Sequence, residues 1–211
     1  MTGSDSGGPG GDIVVTGFGR FPGVTDNPSH ALIDALRETP DLLPGDAACR
    51  LIEVSYAAVP PALDAILADP PAALVMTGFS RRATGLRLET RAHDHRSPEH
   101  EDAFGLRPQA GEAIRHYMEQ VRADLPAISG TVARSGIDCV LSDDAGAYVC
   151  NQTYHTALSR IAARDLPTLA VFVHIPAIAG TPLAGESEGA MELETMARGV
   201  ALIARELARA T

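Results

Sequence analysis

Residues 138–163 read DCVLSDDAGAYVCNQTYHTALSRIAA and contain a strand, a turn and a helix in succession. The apolar run at 138–142 is followed by Asp-Asp-Ala-Gly, whose residue types are typical of turns. Over 148–163, the apolar residues Tyr154 and Leu158 then recur at helical spacing. A strand that leads into a helix through a short turn is the building unit of α/β proteins, so this stretch predicts that fold class.

The same alternation continues in both directions along the chain. The predicted strands lie at 13–17, 51–56, 73–77, 86–92, 138–142 and 168–174. The predicted helices begin at 27–29 and span 61–68, 112–123, 148–163 and 192–208, with loops at 93–108 and 175–189. We therefore expect a single α/β domain over 13–211, with a mostly parallel twisted sheet and helices on both faces. Residues 1–12, which are rich in Gly and Ser, are predicted to be a flexible tail.

The charge balance and the cysteine count narrow the function classes. With 17 Lys and Arg against 27 Asp and Glu, the formal net charge is −10, which disfavours nucleic-acid binding. No apolar run approaches the roughly 18 residues that a membrane span needs, and residues 1–12 lack the regions of a signal peptide. The 3 cysteines form no C-x-x-C pair and predict no disulfide framework, so a cytoplasmic location is the expectation.

Ligand sites of open α/β sheets lie at the carboxyl ends of the strands. In this chain that rule points to 16–22, the residues from Gly78 onward, 142–150 and His174. Cys150 lies near the start of a predicted helix, where the helix dipole favours a reactive thiolate, although a lone cysteine is more often a small buried hydrophobic residue. His174 ends an apolar strand and is equally compatible with a core residue and with a site residue.

Three other features have ordinary structural explanations. Glu89, taken alone, is expected to face solvent beside Arg87 or Arg91. His93 and His95 have the spacing of a metal pair, yet the charged loop that holds them favours solvated histidines. The glycine-rich segment after the first strand completes no G-x-G-x-x-G motif, and no Walker-type motif occurs, so nucleotide binding through those motifs is unsupported.

Four segments form a pattern when they are taken together. They are Val15-Thr16-Gly17-Phe18-x-x-Phe21 with Asn27-Pro28-Ser29, then Ser142-x-x-Ala145-Gly146-x-Tyr148-Val149-Cys150-Asn151, then Val173-His174-Ile175-Pro176, and the closing MELETMARGVALIARELA. These segments resemble the motifs of the pyroglutamyl peptidase I (pyrrolidone-carboxylate peptidase) family, and Gly78 and Glu89 keep that family's spacing. The resemblance covers nearly the whole chain from residue 13, and the cysteine segment is its most specific part.

The resemblance implies a cysteine peptidase that removes an N-terminal pyroglutamyl group and has a phosphorylase/hydrolase-like α/β fold. It implies Cys150 as the nucleophile, His174 as the general base and then acid, and Glu89 as the carboxylate that orients the imidazole. The implied substrate-binding residues are four that line a lactam pocket and an arginine near the developing oxyanion: Phe18, Phe21, Tyr148, Val149 and Arg96. The family further implies a homo-oligomer, often a tetramer, and a mechanism without a metal or an organic cofactor.

The chain departs from the family where a substrate would be recognised. Arg20 and Pro22 interrupt the N-terminal motif, and residues 79–83, Phe-Ser-Arg-Arg-Ala, stand where the family has Gln-Ala-Gly-Gly-Arg. Two alternatives therefore stay open beside the peptidase. One is a thiol hydrolase that acts on a different small acyl amide, and the other is a catalytically weak relative that binds a small molecule or serves as an interaction protein.

Overall fold

A six-stranded sheet lies at the centre of the computed structural model. The structure describes residues 12–20, 26–44, 46–93, 101–107, 118–120 (backbone only) and 122–211. The strands are β1 (Ile13–Phe18), β2 (Ala48–Ile52), β3 (Ala73–Phe79), β4 (Leu86–Glu89), β5 (Arg91–His93), β6 (Met118–Gln120), β7 (Cys139–Ser142), β8 (Leu169–Ile175), β9 (Ala177–Ile178) and β10 (Ala190–Met191). The helices are α1 (Pro28–Glu38), α2 (Val59–Ile66), α3 (Leu125–Arg134), α4 (Val149–Ala163) and α5 (Leu193–Arg209), with short 3-10 turns at Pro40–Leu42 and Pro182–Glu186.

The strands of the central sheet follow the order β2-β1-β3-β8-β4-β7. The first four are parallel to one another, whereas β4 and β7 run together in the opposite direction, antiparallel to β8. The predicted α/β fold with a mostly parallel sheet is confirmed. The carboxyl-end rule holds only in part, because Gly78 and His174 are neighbours at that end, while Ser142 lies beside Glu89 on strands of opposite direction.

Different helices cover the two faces of this sheet. α1, α3 and α5 pack on one face, and α2 and α4 pack on the other. In β8, Val171 and Val173 belong to the first apolar cluster, whereas Phe172 belongs to the second. Because alternate residues of a strand point to opposite faces, His174 lies on the same face as Phe172, the face of α2 and α4.

The helix starts follow local sequence signals. Asn27 caps α1 by accepting a hydrogen bond from the backbone N–H of Ser29 at 3.1 Å, and Pro28 is the first helical residue. At the other end of the chain, α5 buries Met196 and Val200 in the first apolar cluster, which confirms the helical pattern of 192–208. These two helices lie against each other on one face of the sheet.

The stretch before β7 differs from the prediction. Residues 118–120, expected to be helical, form β6 and pair antiparallel with β5, while 112–117 lie outside the described residues. The helix of this region is α3, which the apolar pattern at 112–123 did not reveal. Asp124 caps it, since its Oδ1 accepts the backbone N–H of Ala127 at 3.0 Å. The Asp-Leu-Pro start and the buried stripe that follows are helix signals present in the sequence.

Other differences concern the bounds of elements. The predicted strand at 86–92 is divided at Thr90, whose N–H and hydroxyl both donate to the carbonyl of Ser142. The strand expected at 51–56 lies earlier, as β2. Most of the predicted 1–12 tail and residues 94–100 of the predicted loop fall outside the described residues. In the part of the chain that the structure covers, no helix is long and apolar enough to cross a membrane.

Candidate active site

Glu89 and His174 form a buried hydrogen-bonded pair on the α2/α4 face of the sheet. Glu89 ends β4 with 0% of its surface exposed, and its Oε1 lies 2.7 Å from Nδ1 of His174. The antiparallel register places Arg87 opposite His174 and Phe172 opposite Glu89, so the paired side chains are diagonal neighbours. The expectation that Glu89 faces solvent is wrong, because the pairing of β4 with β8 places its side chain in the interior.

Cys150 is the second residue of α4, and its sulfur rests on the same face of the sheet. A Cβ added to Gly78 would lie 2.9 Å from Cys150 Sγ and 2.8 Å from Phe172 Cζ, so both groups approach β3 as closely as a glycine allows. Gly78 is the register partner of His174 in the adjoining strand. The thiol, the imidazole and the carboxylate of Glu89 therefore lie over three neighbouring strands, β3, β8 and β4.

The surroundings of Cys150 favour the neutral thiol. Burial, and then the negative charge of Glu89, raise the pKa of the Cys150 thiol to about 12, and the residue's own backbone N–H offsets only part of this. The favourable effect of the helix N-terminus on a thiolate is thus opposed by burial and by the charge of Glu89, although Cys150 is partly exposed. A base has to remove the thiol proton during attack, and because Glu89 occupies Nδ1 of His174, Nε2 is the ring nitrogen left for that task.

The other two cysteines differ from Cys150 in their position. Cys49 in β2 and Cys139 in β7 are free thiols, partly buried, and pack against the apolar cluster of the opposite face. Burial raises the pKa of both thiols. Both thiols therefore lie on the face of the sheet opposite to His174. This packing agrees with the prediction that Cys49 and Cys139 are structural residues.

Aromatic side chains hold the Glu89–His174 pair in place. The hydroxyl of Tyr154 in α4 donates to the backbone carbonyl of Glu89 at 2.9 Å. The ring centroid of Phe172 lies 4.9 Å from that of His174 and 6.2 Å from that of Tyr154. Burial and the charge of Glu89 raise the pKa of Tyr154, so its hydroxyl stays protonated and serves as a donor at neutral pH. These contacts restrict the imidazole to one orientation.

One of the predicted substrate-binding residues lies close to Cys150. Tyr148 precedes α4, is half-buried, and its ring stands edge-on to Tyr56 at a centroid distance of 5.9 Å. Burial, Asp102 and Cys150, in that order, raise the pKa of Tyr148 to about 12. The phenol is therefore a neutral hydrogen-bonding group beside the nucleophile at neutral pH.

The remaining predicted substrate-binding residues are packed or not described. Phe18 and Val149 are almost fully buried in the apolar cluster of the α2/α4 face, so much of their surface is used in the core. Phe21 and Arg96 lie outside the described residues. The predicted lactam pocket thus stays a prediction for these four positions.

Two residues whose connecting role the sequence analysis did not assign join the elements of the site. Asn151, next to the nucleophile, accepts the backbone N–H of His93 at 2.8 Å and donates to the His93 carbonyl at 2.6 Å, which fastens β5 to α4. Arg87 donates from Nε to Glu89 Oε1 at 3.0 Å and from Nη2 to the carbonyl of Asp144 at 3.2 Å. The predicted pairing of Arg87 with Glu89 is observed, but with the carboxylate buried and not in solvent. Asn151 was quoted only as the last residue of the cysteine motif, which does not indicate its contact with β5.

The metal alternative at His93 and His95 receives no support from the described part of the loop. Nε2 of His93 lies 3.2 Å from the carbonyl oxygen of Asp143 and so contacts the turn before α4. Among the residues that the structure covers, no cluster of three or more His, Cys, Asp or Glu side chains could hold a metal ion. His95 and His100 lie outside that coverage.

Known proteins are similar to this chain in sequence and fold over most of its length. The family model described as pyroglutamyl peptidase matches residues 11–210. The pyrrolidone-carboxylate peptidase of Thermococcus onnurineus is 28% identical over 195 residues, covering 90% of this chain and 96% of its own length. The pyrrolidone-carboxylate peptidase of Clavibacter michiganensis subsp. michiganensis is 32% identical over 173 residues, or 78% of each chain.

Solved structures agree with these relatives. Pyroglutamyl peptidase I of Bacillus amyloliquefaciens superposes with a TM-score of 0.79 at 22% identity, over 93% of this chain and 96% of its own. The pyrrolidone carboxyl peptidase of Fervidobacterium islandicum superposes with a TM-score of 0.77 at 25% identity, over 90% of this chain and 95% of its own. The family match over almost every residue, on a fold that these structures share, shows that this chain belongs to the pyroglutamyl peptidase family.

Proposed function

We propose that this chain hydrolyses the amide bond that follows an N-terminal pyroglutamyl residue, with Cys150 as the nucleophile. The observation that carries the proposal is the 2.7 Å contact between the buried Glu89 and Nδ1 of His174, on the face where the Cys150 sulfur lies against Gly78. A carboxylate on one ring nitrogen fixes the tautomer of an imidazole and directs the other nitrogen toward a nucleophile. The pyroglutamyl specificity is carried over from the family.

The proposed chemistry follows from the charge state of the site. Nε2 of His174 accepts the proton of the Cys150 thiol as the sulfur attacks the acyl carbon, because the raised pKa of the thiol leaves little thiolate at rest. The imidazolium then gives this proton to the departing amine, and a thioester remains. Water, deprotonated by the neutral imidazole, attacks the thioester and releases pyroglutamate and the free thiol.

The start of α4 supplies hydrogen-bond donors for this reaction. The first backbone N–H groups of a helix have no partner within the helix, and the positive end of its dipole lies there. The backbone N–H of Cys150 acts to lower the pKa of its own thiol, and the oxyanion forms next to that sulfur. The Cys150 N–H is therefore our candidate donor to the oxyanion. Arg96, which lies outside the described residues, remains a predicted second donor.

A chromogenic pyroglutamyl anilide tests the proposal. We expect the wild-type protein to release the anilide and the Cys150→Ala variant to lose at least about 10³-fold in kcat/KM, because the members of a triad act as a unit. His174→Gln should lose a similar factor. The matched control is Cys49→Ala, which removes a partly buried thiol on the opposite face and should leave the rate unchanged. Hydrolysis that persists in Cys150→Ala would contradict the proposal.

A second candidate, hydrolysis of a different small acyl amide, has one observation in its favour. Phe79 ends β3 directly after Gly78, where the family has a glutamine, and its ring packs 6.0 Å from the guanidinium of Arg81. An aromatic ring cannot make the two hydrogen bonds that an amide side chain offers to a lactam. Wild-type protein that fails on the pyroglutamyl anilide but cleaves other acyl anilides would favour this candidate. The homo-oligomeric state and the cytoplasmic location stay predictions.

A further inference from the structure

Arg87 contacts both halves of the candidate site. Its Nε donates to Glu89 Oε1, the same oxygen that faces Nδ1 of His174, at 3.0 Å. Its Nη2 donates at 3.2 Å to the carbonyl of Asp144, in the turn that joins β7 to the nucleophile-bearing helix α4. One guanidinium therefore links the carboxylate of the triad to the segment that delivers Cys150.

The two oxygens of the Glu89 carboxylate differ in their contacts. Glu89 Oε2 is buried and has no hydrogen-bond partner among the described residues. The negative charge of Glu89 is thus balanced at Oε1 alone, by Arg87 and by the imidazole. A guanidinium stays charged at every accessible pH, so its compensation of Glu89 is constant while that of His174 varies with protonation.

The guanidinium of Arg91 and the imidazole of His93 contact the same turn at Asp143. Arg91 donates from Nε to the carbonyl of Asp143 at 3.0 Å and pairs with the Asp143 carboxylate, and His93 contacts that carbonyl as well. Arg91 therefore provides a comparison within the molecule: its described contacts with the turn go to Asp143, whereas Arg87 bonds both the turn and the triad carboxylate.

We propose that Arg87 is a positioning residue of the hydrolytic site, holding the Glu89 carboxylate against His174 and limiting how strongly that carboxylate stabilises the imidazolium. The inference rests on the proposed roles of Cys150 and His174. Loss of the guanidinium would leave the Glu89 carboxylate uncompensated, and an uncompensated carboxylate stabilises an adjoining imidazolium more strongly.

The other described groups that face the Glu89–His174 pair do not supply a positive charge to the carboxylate. From α4, Cys150 and Tyr154 face it, and both have a raised pKa, so they stay neutral in the pH range of an assay. From the turn, the Asp144 carboxylate accepts the backbone N–H of Gly146. On the opposite face, α5 packs against β4 and β8 through buried apolar side chains. Among the residues that the structure describes, Arg87 is the permanent cation bonded to the carboxylate.

Three variants separate charge from packing. Arg87→Met keeps the aliphatic stem and removes the charge and both hydrogen bonds. Arg87→Lys keeps the charge but cannot reach both partners in the forked geometry of a guanidinium. Arg91→Met removes a cation from the same turn and leaves Glu89 untouched. Each is measured by the pH profile of kcat/KM on a pyroglutamyl anilide and by an NMR titration of the His174 ring, assigned from the signal missing in His174→Gln.

In Arg87→Met we expect the acid limb of kcat/KM and the ring titration midpoint of His174 to move up together by about 0.5–1 pH unit, the size expected for one partly screened charge at this distance. We also expect kcat to fall by roughly 10-fold with little change in KM, since orientation of the base is lost. Arg87→Lys should restore the midpoint but not the full kcat. Arg91→Met should leave both the limb and the midpoint within about 0.2 pH unit of wild type.

Arg87→Met with an unmoved midpoint, or Arg91→Met with an equal shift, would overturn the proposal. If Arg87→Met does not fold, Arg87→Gln makes the same test of charge with a polar side chain. The NMR midpoint needs no substrate, so it tests Arg87 even if wild-type protein proves inactive on the pyroglutamyl anilide. That inactivity would contradict the proposed specificity alone.

Discussion

The two faces of the central sheet consist of the same strands but differ in chemistry. The face that packs on α1, α3 and α5 is lined by aliphatic residues along every strand that contributes to its cluster. On the face that packs on α2 and α4, β1 and β3 contribute apolar residues to the cluster, whereas Arg87, Glu89 and His174 lie where β4 meets β8. In β8 the difference separates adjacent residues, Val173 and His174. Alternation along single strands thus lets one sheet provide a stable core and a reactive site.

Two glycines offer the strongest test of this division, because each marks a close approach of a helix to the sheet. A Cβ on Gly17 would lie 2.6 Å from the Ser29 carbonyl oxygen of α1 on the aliphatic face, whereas a Cβ on Gly78 would meet the ends of the Cys150 and Phe172 side chains. Backbone cannot yield as easily as a side-chain end. We therefore expect substitution of Gly78 to affect mainly activity and substitution of Gly17 to affect mainly stability.

We expect Gly78→Ala to lower kcat/KM by about 10²-fold, because a displaced nucleophile loses its attack geometry, with a modest fall in stability. We expect Gly17→Ala to destabilise the protein by about 3 kcal/mol, or roughly 10 °C in Tm, with normal activity per folded molecule. Thermal denaturation and active-site titration by alkylation of Cys150 measure both. Equal losses of activity in the two variants would contradict the division between the faces.

The next test compares Val173 with its neighbour His174. Val173 is fully buried on the aliphatic face, so Val173→Ala should cost about 2 kcal/mol through lost methyl groups and a small cavity. Its kcat/KM per folded molecule should stay within about 3-fold of wild type, since the site faces the other way. His174→Gln should show the opposite behaviour, with near-normal urea denaturation and no hydrolysis. A change in activity in Val173→Ala as large as its change in stability would indicate that the faces are coupled.

The sequence predicted the aliphatic face better than the reactive one. Strands β1, β3 and β8 and helices α1, α4 and α5 were recognisable because their apolar residues repeat at the period of one element. Glu89 was assigned to solvent because local sequence does not record that β4 pairs antiparallel with β8, a contact between residues 85 positions apart. The family resemblance, and not periodicity, singled it out. Strand β7 also runs opposite to β8, a direction that no local sequence pattern indicates.

The electrostatics of the site were harder still to predict. The position of Cys150 at a helix start favours a thiolate, whereas burial and the nearby Glu89 favour the thiol, and the second effect prevails. Local sequence contains the first influence and not the second, because burial and charge proximity are tertiary properties. The same reason explains why Arg87 was interpreted as a surface partner of Glu89.

The smallest effect concerns a polar group at the edge of the α2/α4 face. Asp102 is buried, and its carboxylate accepts backbone N–H groups of Tyr56, Phe104 and Leu106, which fastens the 101–107 segment to the loop before α2. Burial acts to raise the pKa of Asp102, but the hydrogen bonds from Leu106, Phe104 and Tyr56 outweigh it, and the pKa is lowered. A carboxyl with a lowered pKa stabilises the fold above the ordinary aspartate pKa of about 4 and loses this contribution as the pH falls through its own, lower value.

Asp102→Asn should therefore reduce the free energy of unfolding by about 1 kcal/mol at pH 7, and the deficit should shrink as the pH falls below about 4 toward the lower pKa of the folded carboxyl. Urea denaturation at pH 7 and at the lowest pH that keeps the parent folded measures this difference. The matched control is Asp34→Asn, an exposed carboxylate on α1 whose loss should change stability by less than about 0.5 kcal/mol at either pH. A deficit for Asp102→Asn that is the same at both pH values would mean that shape, and not charge, is what the segment requires at this position.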